Sequence, residues 1–418
     1  MDTAQPPRSP VTRVLIARGL RAFGDGFVSL LLPLYLLELG FGPLQVGILA
    51  TATLCGSGLL TLAVGLRAHR HAYRTLLLAA AALMTATGLG FAAVSDFWPL
   101  LVIAVVGTLN PPSGDVSVFL PLEHAVLSQA ARDRERTAVF ARYSLVGALL
   151  AALGALAAAL PPLLAEATGT PLRTGMQAMF VLYAALGALV ALAYRGLPTA
   201  RAVDASPTAA PLRESRRKVH ALAALFSLDA FGGGFVVQSM LALWLYQRFG
   251  MTPTAVGTLF FASGVLAALS YLVAVRVADR FGLVNTMVFT HLPSSLCLIA
   301  IPFLPDAGHV VALLLVRSAL SQMDVPTRSS YVMAIVTPRE RPAAASVTAV
   351  PRSLASAVSP FLAGYLLSVS SFGWPLLAAG GLKIAYDLLL LAYFGKVRPP
   401  EEAARHSQNL RTTVIREP

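Results

Sequence analysis

Ionisable side chains stand inside long apolar runs of this chain, at spacings that would bring them together. Arg18, Arg21 and Asp25 follow as i, i+3 and i+7 and share one helix face. Arg317, Ser321, Asp324 and Arg328 follow at intervals of 4, 3 and 4, with Tyr331 three further on. That is one polar stripe on a helix whose other faces are apolar. Asn110, Asp115 and Glu123 lie on a third run, among Pro111, Pro112 and Pro121, residues that remove backbone donors and bend helices. Lys383 and Asp387 form an i, i+4 pair able to neutralise itself. A charge at the centre of a bilayer costs at least about 2.5–3.5 kcal/mol on insertion scales, so each such group needs a partner, water or a task. Carboxylates so placed can take up and release protons, arginines can hold anions, and opposite charges can bridge helices. Hydrolytic or metal chemistry is not indicated. The chain has no phosphate-binding loop and no Ser/His/Asp arrangement, and its seven His do not recur at ligand spacing. No enzymatic activity, cofactor or metal is expected.

The elements that must carry these groups follow from composition. Hydrophobic residues make up 56% of the 418 positions and charged residues only 12%, about half the roughly 25% of a soluble protein. At about 20 apolar residues per crossing, the chain offers twelve runs. Six lie near 14–39, 44–66, 75–95, 98–130, 138–160 and 175–196, and six near 219–246, 253–275, 284–304, 308–336, 343–369 and 373–394. The expectation is an all-α membrane protein with twelve transmembrane helices. The net charge of +12 does not imply nucleic acid, because the basic residues sit in short loops between apolar runs. Arg67, Arg70, Arg74, Arg132, Arg134, Arg136, Arg276, Arg280, Arg339 and Arg341 fall on one side, and only Arg173 and Arg248 on the other. The positive-inside rule then puts both termini in the cytoplasm of an inner or plasma membrane. The N-terminal run, interrupted by Arg18, Arg21 and Asp25, continues as a long span and does not read as a cleavable signal. Cys55 and Cys297 fall within apolar runs and read as buried thiols.

The chain also repeats itself. RAFGDGFV from Arg21 matches DAFGGGFV from Asp229, 208 positions on. Pro121 precedes Arg134-Glu135-Arg136 by thirteen positions, and Pro326 precedes Arg339-Glu340-Arg341 by thirteen, at an offset of 205. Arg142 and Gly154 match Arg352 and Gly364 at 210. The reading is two pseudo-symmetric six-helix bundles, 1–196 and 219–396, with a cytoplasmic linker at 197–218 and a tail at 397–418. Two repeat relations reverse charge. Glu123 falls on Arg328 at an offset of 205, and Arg21 falls on Asp229. These are candidate ion pairs across the pseudo-two-fold axis, with separate local partners as the alternative. Arg142 and Arg352 either snorkel and cap helix ends near the loops or form an anion-binding pair.

The loop between the eighth and ninth spans, Ala278-Asp279-Arg280-Phe281-Gly282, resembles the A-D-R-x-G signature of the major facilitator superfamily. Six plus six spans with a long central loop are similar to that family across essentially the whole chain. The first-half copy, Ala68-His69-Arg70-His71-Ala72, departs from it, with His69 for the Asp and Ala72 for the Gly. The resemblance implies alternating access by two rocking bundles. It also implies a cavity lined by spans 1, 4, 7 and 10, and gating by Asp279, Arg280 and Gly282. It does not identify a substrate. The family's antiporter bend, a Gly-Pro element on span 5, is missing from GALLAALGALAAALPP.

The expected function is secondary active transport of a small organic solute by a monomer, coupled to protons through Asp25, Asp115, Glu123 and Asp324. Arg21, Asp229, Arg142 and Arg352 are the further gating candidates. Export is favoured because the expected path combines acids with Phe23, Phe27, Phe119, Trp244 and Phe261. Uptake or exchange of an organic anion at Arg317, Arg328 and Arg352 is the alternative. A non-transporting sensor or scaffold would carry a large cytoplasmic module, which the short linker and tail do not offer.

Overall fold

The computed structural model describes residues 9–67, 71–109, 117–130, 136–199, 212–337, 340–395 and 397. The chain winds through α1 (Pro10–Glu38), α2 (Pro43–Arg67), α3 (Tyr73–Ala93), α4 (Phe97–Val106), α5 (Phe119–Ala130), α6 (Arg136–Ala157), α7 (Leu160–Thr168) and α8 (Leu172–Arg195). It continues through α9 (Arg216–Gly234), α10 (Gln238–Phe249), α11 (Pro253–Phe281), α12 (Leu283–Ala300), α13 (Ala307–Ser321), α14 (Asp324–Ile335), α15 (Arg341–Val369) and α16 (Trp374–Phe394). Among the described residues, nine stretches are long and apolar enough to cross a bilayer. The fourth and tenth spans are broken into α4/α5 and α13/α14, and α15 is the eleventh, which completes twelve. Large apolar side chains face outward, with Trp98 73% and Tyr393 70% exposed. Lipid, not water, is the solvent for such a surface.

Local chemistry sets the ends of these helices. Ser9 caps α1 by accepting from the Thr12 N–H at 3.3 Å, and Pro10 occupies the first turn, where its missing donor costs nothing. α4 stops at Gly107, whose N–H returns to the Ile103 carbonyl at 2.8 Å. Between α11 and α12 the chain turns on Gly282 alone, at φ 86°, a left-handed backbone that only glycine adopts without strain. That conformation explains the glycine of the loop motif. α9 begins at Arg216, three residues inside the stretch read as linker. The buried Glu340 carboxylate meets the chain just before it, accepting from the backbone N–H groups of Arg213 (2.5 Å), Glu214 (3.0 Å) and Ser215 (3.2 Å). Those donors hold its carboxyl below the ordinary value of 4.5.

The repeat is visible in the helix bounds. α5 and α14 each have twelve residues and occupy the same positions at an offset of 205. The sequence pattern reads spans four and ten as unbroken, yet both halves interrupt them at one place, just ahead of α5 and α14.

The chain divides into two compact units that cut across the sequence halves. The first holds residues 1–205, 236–265 and 357–375, and the second holds 206–235, 266–356 and 376–418. In the first, α1 packs against α6 and α8 with no room to spare. A Cβ on Gly26 would stand 2.2 Å from the Ala151 carbonyl oxygen, and one on Gly154 would stand 2.1 Å from that of Phe23. In the second unit, α9, α12, α14 and α16 share a core of Val219, Phe226, Met287, Tyr331, Tyr386 and Leu390.

Candidate functional site

Each unit buries one ion pair between the first and the fourth span of a sequence half, and the two pairs carry opposite polarity. In the first unit the Arg21 guanidinium on α1 donates to Glu123 on α5; Arg21 is 2% exposed and Glu123 fully buried. Tyr143 on α6 donates to Glu123 Oε2 at 2.6 Å, and Tyr194 on α8 to Oε1 at 2.5 Å. The guanidinium also lies over the Phe119 ring, 4.1 Å from its centroid. Three donors and an aromatic face replace the water that both charges lost.

In the second unit the acid and the base have changed places. Asp229 on α9 stands at the position equivalent to Arg21, and Arg328 on α14 at that of Glu123. Arg328 donates to Asp229 Oδ2 at 3.0 Å and to Asp324 one turn earlier, with the Phe226 ring 5.2 Å away. The other Asp229 oxygen accepts from Lys383 Nζ on α16 at 2.7 Å. Lys383 reaches it over the glycines of DAFGGGFV, where a Cβ on Gly232 would meet the lysine stem at 3.4 Å. Beyond Lys383 lies His291 on α12, with Nε2 3.4 Å from the ammonium and 3.6 Å from Asp229 Oδ1. Its Nδ1 stands 3.0 and 3.1 Å from the two oxygens of Asp387, which is fully buried.

These contacts decide between two readings and correct a third. Glu123 and Arg328, candidates for a pair across the pseudo-symmetry axis with separate local partners as the alternative, follow the alternative: each has its partner within its own unit. Repeat equivalence means equivalent surroundings, so each residue meets the first span of its own half. Lys383 and Asp387, read as neutralising each other, divide between Asp229 and His291. The sequence reading missed His291, Tyr143 and Tyr194. The signal for His291 was present, since no Asp, Glu, Lys or Arg and no second His stands in the apolar run 284–304.

The remaining candidates are scattered. Asp25 is buried near Tyr183 rather than serving as the main partner of Arg21. Arg317 on α13 is half-buried, and its Nε has no acceptor among the described residues. Arg142 is exposed on α6, and Arg352 is half-buried on α15. Arg280 is exposed, its guanidinium beside the Phe281 ring. Asp115 and the Asp279 side chain lie outside the described residues. Phe27, Phe119 and Trp244, expected along a solute path, are buried in packing.

The first unit also contains a seam where helices of the two sequence halves touch backbone to backbone. α2 crosses α15 where a Cβ on Gly47 would lie 2.5 Å from the Pro360 carbonyl oxygen and 2.9 Å from Gly364 Cα. α11 crosses α6 where a Cβ on Gly257 would lie 2.5 Å from the Ala155 carbonyl oxygen. Gly47 and Gly257 are repeat-equivalent at an offset of 210. Tyr246 on α10 donates to the Leu30 carbonyl at 3.1 Å, and Thr51 accepts from the Phe361 N–H at 2.9 Å. The seam lies toward the loops 39–42 and 250–252, away from the arginine-rich loops.

Comparison with known proteins accords with this geometry. The family model of the Major Facilitator Superfamily matches residues 14–243 and 222–417. An uncharacterized membrane protein of Saccharomyces cerevisiae is 25% identical over 411 residues, covering 90% of this chain and 92% of its own. The nucleoside transporter NupG has a similar fold, with a TM-score of 0.70 at 13% identity over 92% of this chain and 99% of its own. A bacterial homolog of the human lysosomal transporter Spinster, in an inward-facing and occupied conformation, gives 0.69 at 15% identity over 93% and 96%. Repeated halves, twelve spans, buried inter-helix charges and a match along nearly the whole sequence lead to one assignment: the chain belongs to the major facilitator superfamily, a family of transporters rather than enzymes.

Proposed function

We propose that this protein is a proton-coupled secondary transporter of a small organic solute, working by alternating access. The sequence halves 1–196 and 219–396 act as its moving bundles, and export in exchange for protons is the direction to test first. The observation that carries the coupling is the buried network around Asp229 in the second unit, with three carboxylates, two fixed cations and a histidine in continuous contact. A secondary transporter without nucleotide or metal chemistry draws its work from an ion gradient, and ionisable groups buried in spans are where a proton can be held. The seam of Gly47, Gly364 and Gly257 supports a gate that closes one end of the path, since backbones so close exclude even water.

The test begins with a thermal-shift screen of small organic solutes on the purified protein, because a compound that binds only the folded state raises its stability. A radiolabelled hit is then offered to proteoliposomes with and without a pH gradient. Gradient-driven accumulation is expected, and accumulation indifferent to the gradient would remove proton coupling from the reading.

One further observation favours a solute with an anionic group. Arg317 Nε lacks an acceptor and no carboxylate pairs with this arginine among the described residues, whereas Arg328, whose Nε also lacks one, is taken up through Nη2 by Asp324 and Asp229. One solved neighbour, a human organic anion transporter, gives a TM-score of 0.61 at 17% identity. Hits drawn from carboxylates and phosphates, lost in Arg317→Gln, are the expected outcome. Hits confined to cations would discard this second reading.

A further inference from the structure

The charges of the buried cluster around Asp229 do not balance. Asp324, Asp229 and Asp387 supply three negative charges, while Arg328 and Lys383 supply two positive ones. All five are at most 9% exposed. Water cannot make good the difference in such a place, and an uncompensated carboxylate there is costly. One proton makes the cluster neutral. Asp324 already faces Arg328, and Asp229 faces both Arg328 and Lys383. Asp387 faces the imidazole of His291 through both of its oxygens, and no fixed cation is bonded to it among the described residues. The first unit shows no such deficit at its pair, where Glu123 is met by Arg21 and two tyrosine hydroxyls.

The surroundings of His291 are drawn from every element packed on α12. Asp229 approaches from α9, Lys383, Asp387 and Tyr386 from α16, and Asp324 and Arg328 stand behind Asp229 on α14. Arg317 on α13 lies toward Cys297, further along α12. Two hydrogen-bonding states fit these distances. In the neutral imidazole, Nδ1–H donates to Asp387 and the Nε2 lone pair accepts from Lys383 at 3.4 Å. When Nε2 takes a proton it can no longer accept from the ammonium. Its new N–H then points to Asp229 Oδ1 at 3.6 Å, the oxygen that Lys383 holds at 2.7 Å.

We propose that the His291–Asp387 couple is the proton-binding site of this transporter, and that a proton at His291 Nε2 competes with Lys383 for Asp229. The proton is the only particle gained, and the lone pair of Nε2 receives it. Its consequence reaches α14, because the Asp229 carboxylate that Lys383 and His291 contest also holds Arg328. This deepens the proton-coupled reading and rests on it. The site itself is tested without any solute, so the two can fail separately.

The test is a nitrogen NMR titration of ¹⁵N-histidine-labelled full-length protein in lipid nanodiscs, with His291 assigned by its loss in His291→Gln. In wild type the His291 resonances should pass from neutral imidazole to imidazolium during a scan from about pH 8 to 5. Asp387→Asn leaves two carboxylates against two cations, so the cluster is neutral without a proton. His291 should then stay neutral across that range while the protein remains folded. If His291→Gln folds poorly, the double variant with Asp387→Asn should restore folding, since it balances the charges again. A His291 signal that ignores pH in wild type, or that titrates identically in Asp387→Asn, overturns the site. Wild-type proteoliposomes that accumulate a stabilising compound without regard to a pH gradient would instead overturn the coupling reading and leave the titration standing.

Discussion

Arg21 and Glu123 make one pair out of a cation on the first span and an acid on the fourth; Asp229 and Arg328 make the same pair with the charges exchanged. A fold that accepts both polarities at one place predicts how substitutions will behave. Removing one partner of a buried pair typically costs about 3–5 kcal/mol, because the other charge is stranded. Glu123→Gln and Arg21→Gln should each lower thermal stability by that order and impair transport. The exchange Arg21→Glu with Glu123→Arg should recover a measurable part of both, since it gives the first unit the polarity of the second. The exchange Glu123→Arg with Arg328→Glu should recover nothing. It sets two cations together at Arg21, and three acids together at Asp229 and Asp324. A double-mutant cycle on each pair decides the matter, and additivity for Arg21 with Glu123 would deny their coupling. The four charges were legible in the sequence because ionisable groups are rare in apolar runs. Their pairing was not, since repeat offsets relate positions by environment and carry no information on contact. His291 escaped notice because its partner Asp387 lies 96 positions away, and a lone histidine has no spacing to read.

At the scale of elements, glycine placement decides what can move. Gly47 and Gly364 let α2 and α15 touch, and Gly257 does the same for α11 against α6. A leucine at Gly47 has nowhere to go, with backbone atoms 2.5 and 2.9 Å from its Cβ. Gly47→Leu should therefore prop the seam apart without unfolding the helices on either side. A cysteine at Ser29, which is fully buried and bonded to Gln238, should then label faster with a water-soluble maleimide than in the Gly47 parent. Unchanged labelling would mean that the seam is not a gate. The linker end offers a second test, this one in pH. The three N–H donors hold the Glu340 carboxyl below 4.5, so its contact contributes fully above that value. The contribution fades as pH falls through the lowered value, where the carboxylate gains a proton and stops accepting. Hydrogen exchange at residues 213–215 should stay slow at pH values that already protonate ordinary carboxylates, and should be fast at all pH values in Glu340→Ala. The sequence displayed the twelve runs and, on the fourth, the prolines that can bend it, though not the interruption before α5. It concealed the break at Gln322 and Met323, because nothing in that polar stripe differs from a continuous helix.

For the molecule as a whole, the arginine-rich loops and the glycine seam lie at opposite helix ends, and this fixes an expectation about sidedness. Moving a Lys or Arg flank across a bilayer is disfavoured, and short loops therefore retain their basic residues on the cytoplasmic side. The loops near Arg67 to Arg74, Arg132 to Arg136, Arg276 to Arg280 and Arg339 to Arg341 should then face the cytoplasm, together with the linker and both tails. The seam should then face outward. Two native thiols, Cys55 and Cys297, are partly exposed and must first be replaced, for example by alanine. In that background, cysteines at Ser206 in the linker and Ser407 in the tail should resist a membrane-impermeant reagent added to intact cells, and should label once the cells are opened. A cysteine at Thr252, exposed in the loop between α10 and α11, should label from outside. Labelling of Ser206→Cys or Ser407→Cys in intact cells, with Thr252→Cys protected, would invert the topology. The seam would then become a cytoplasmic gate, and the proton at His291 would have to be supplied from the opposite side.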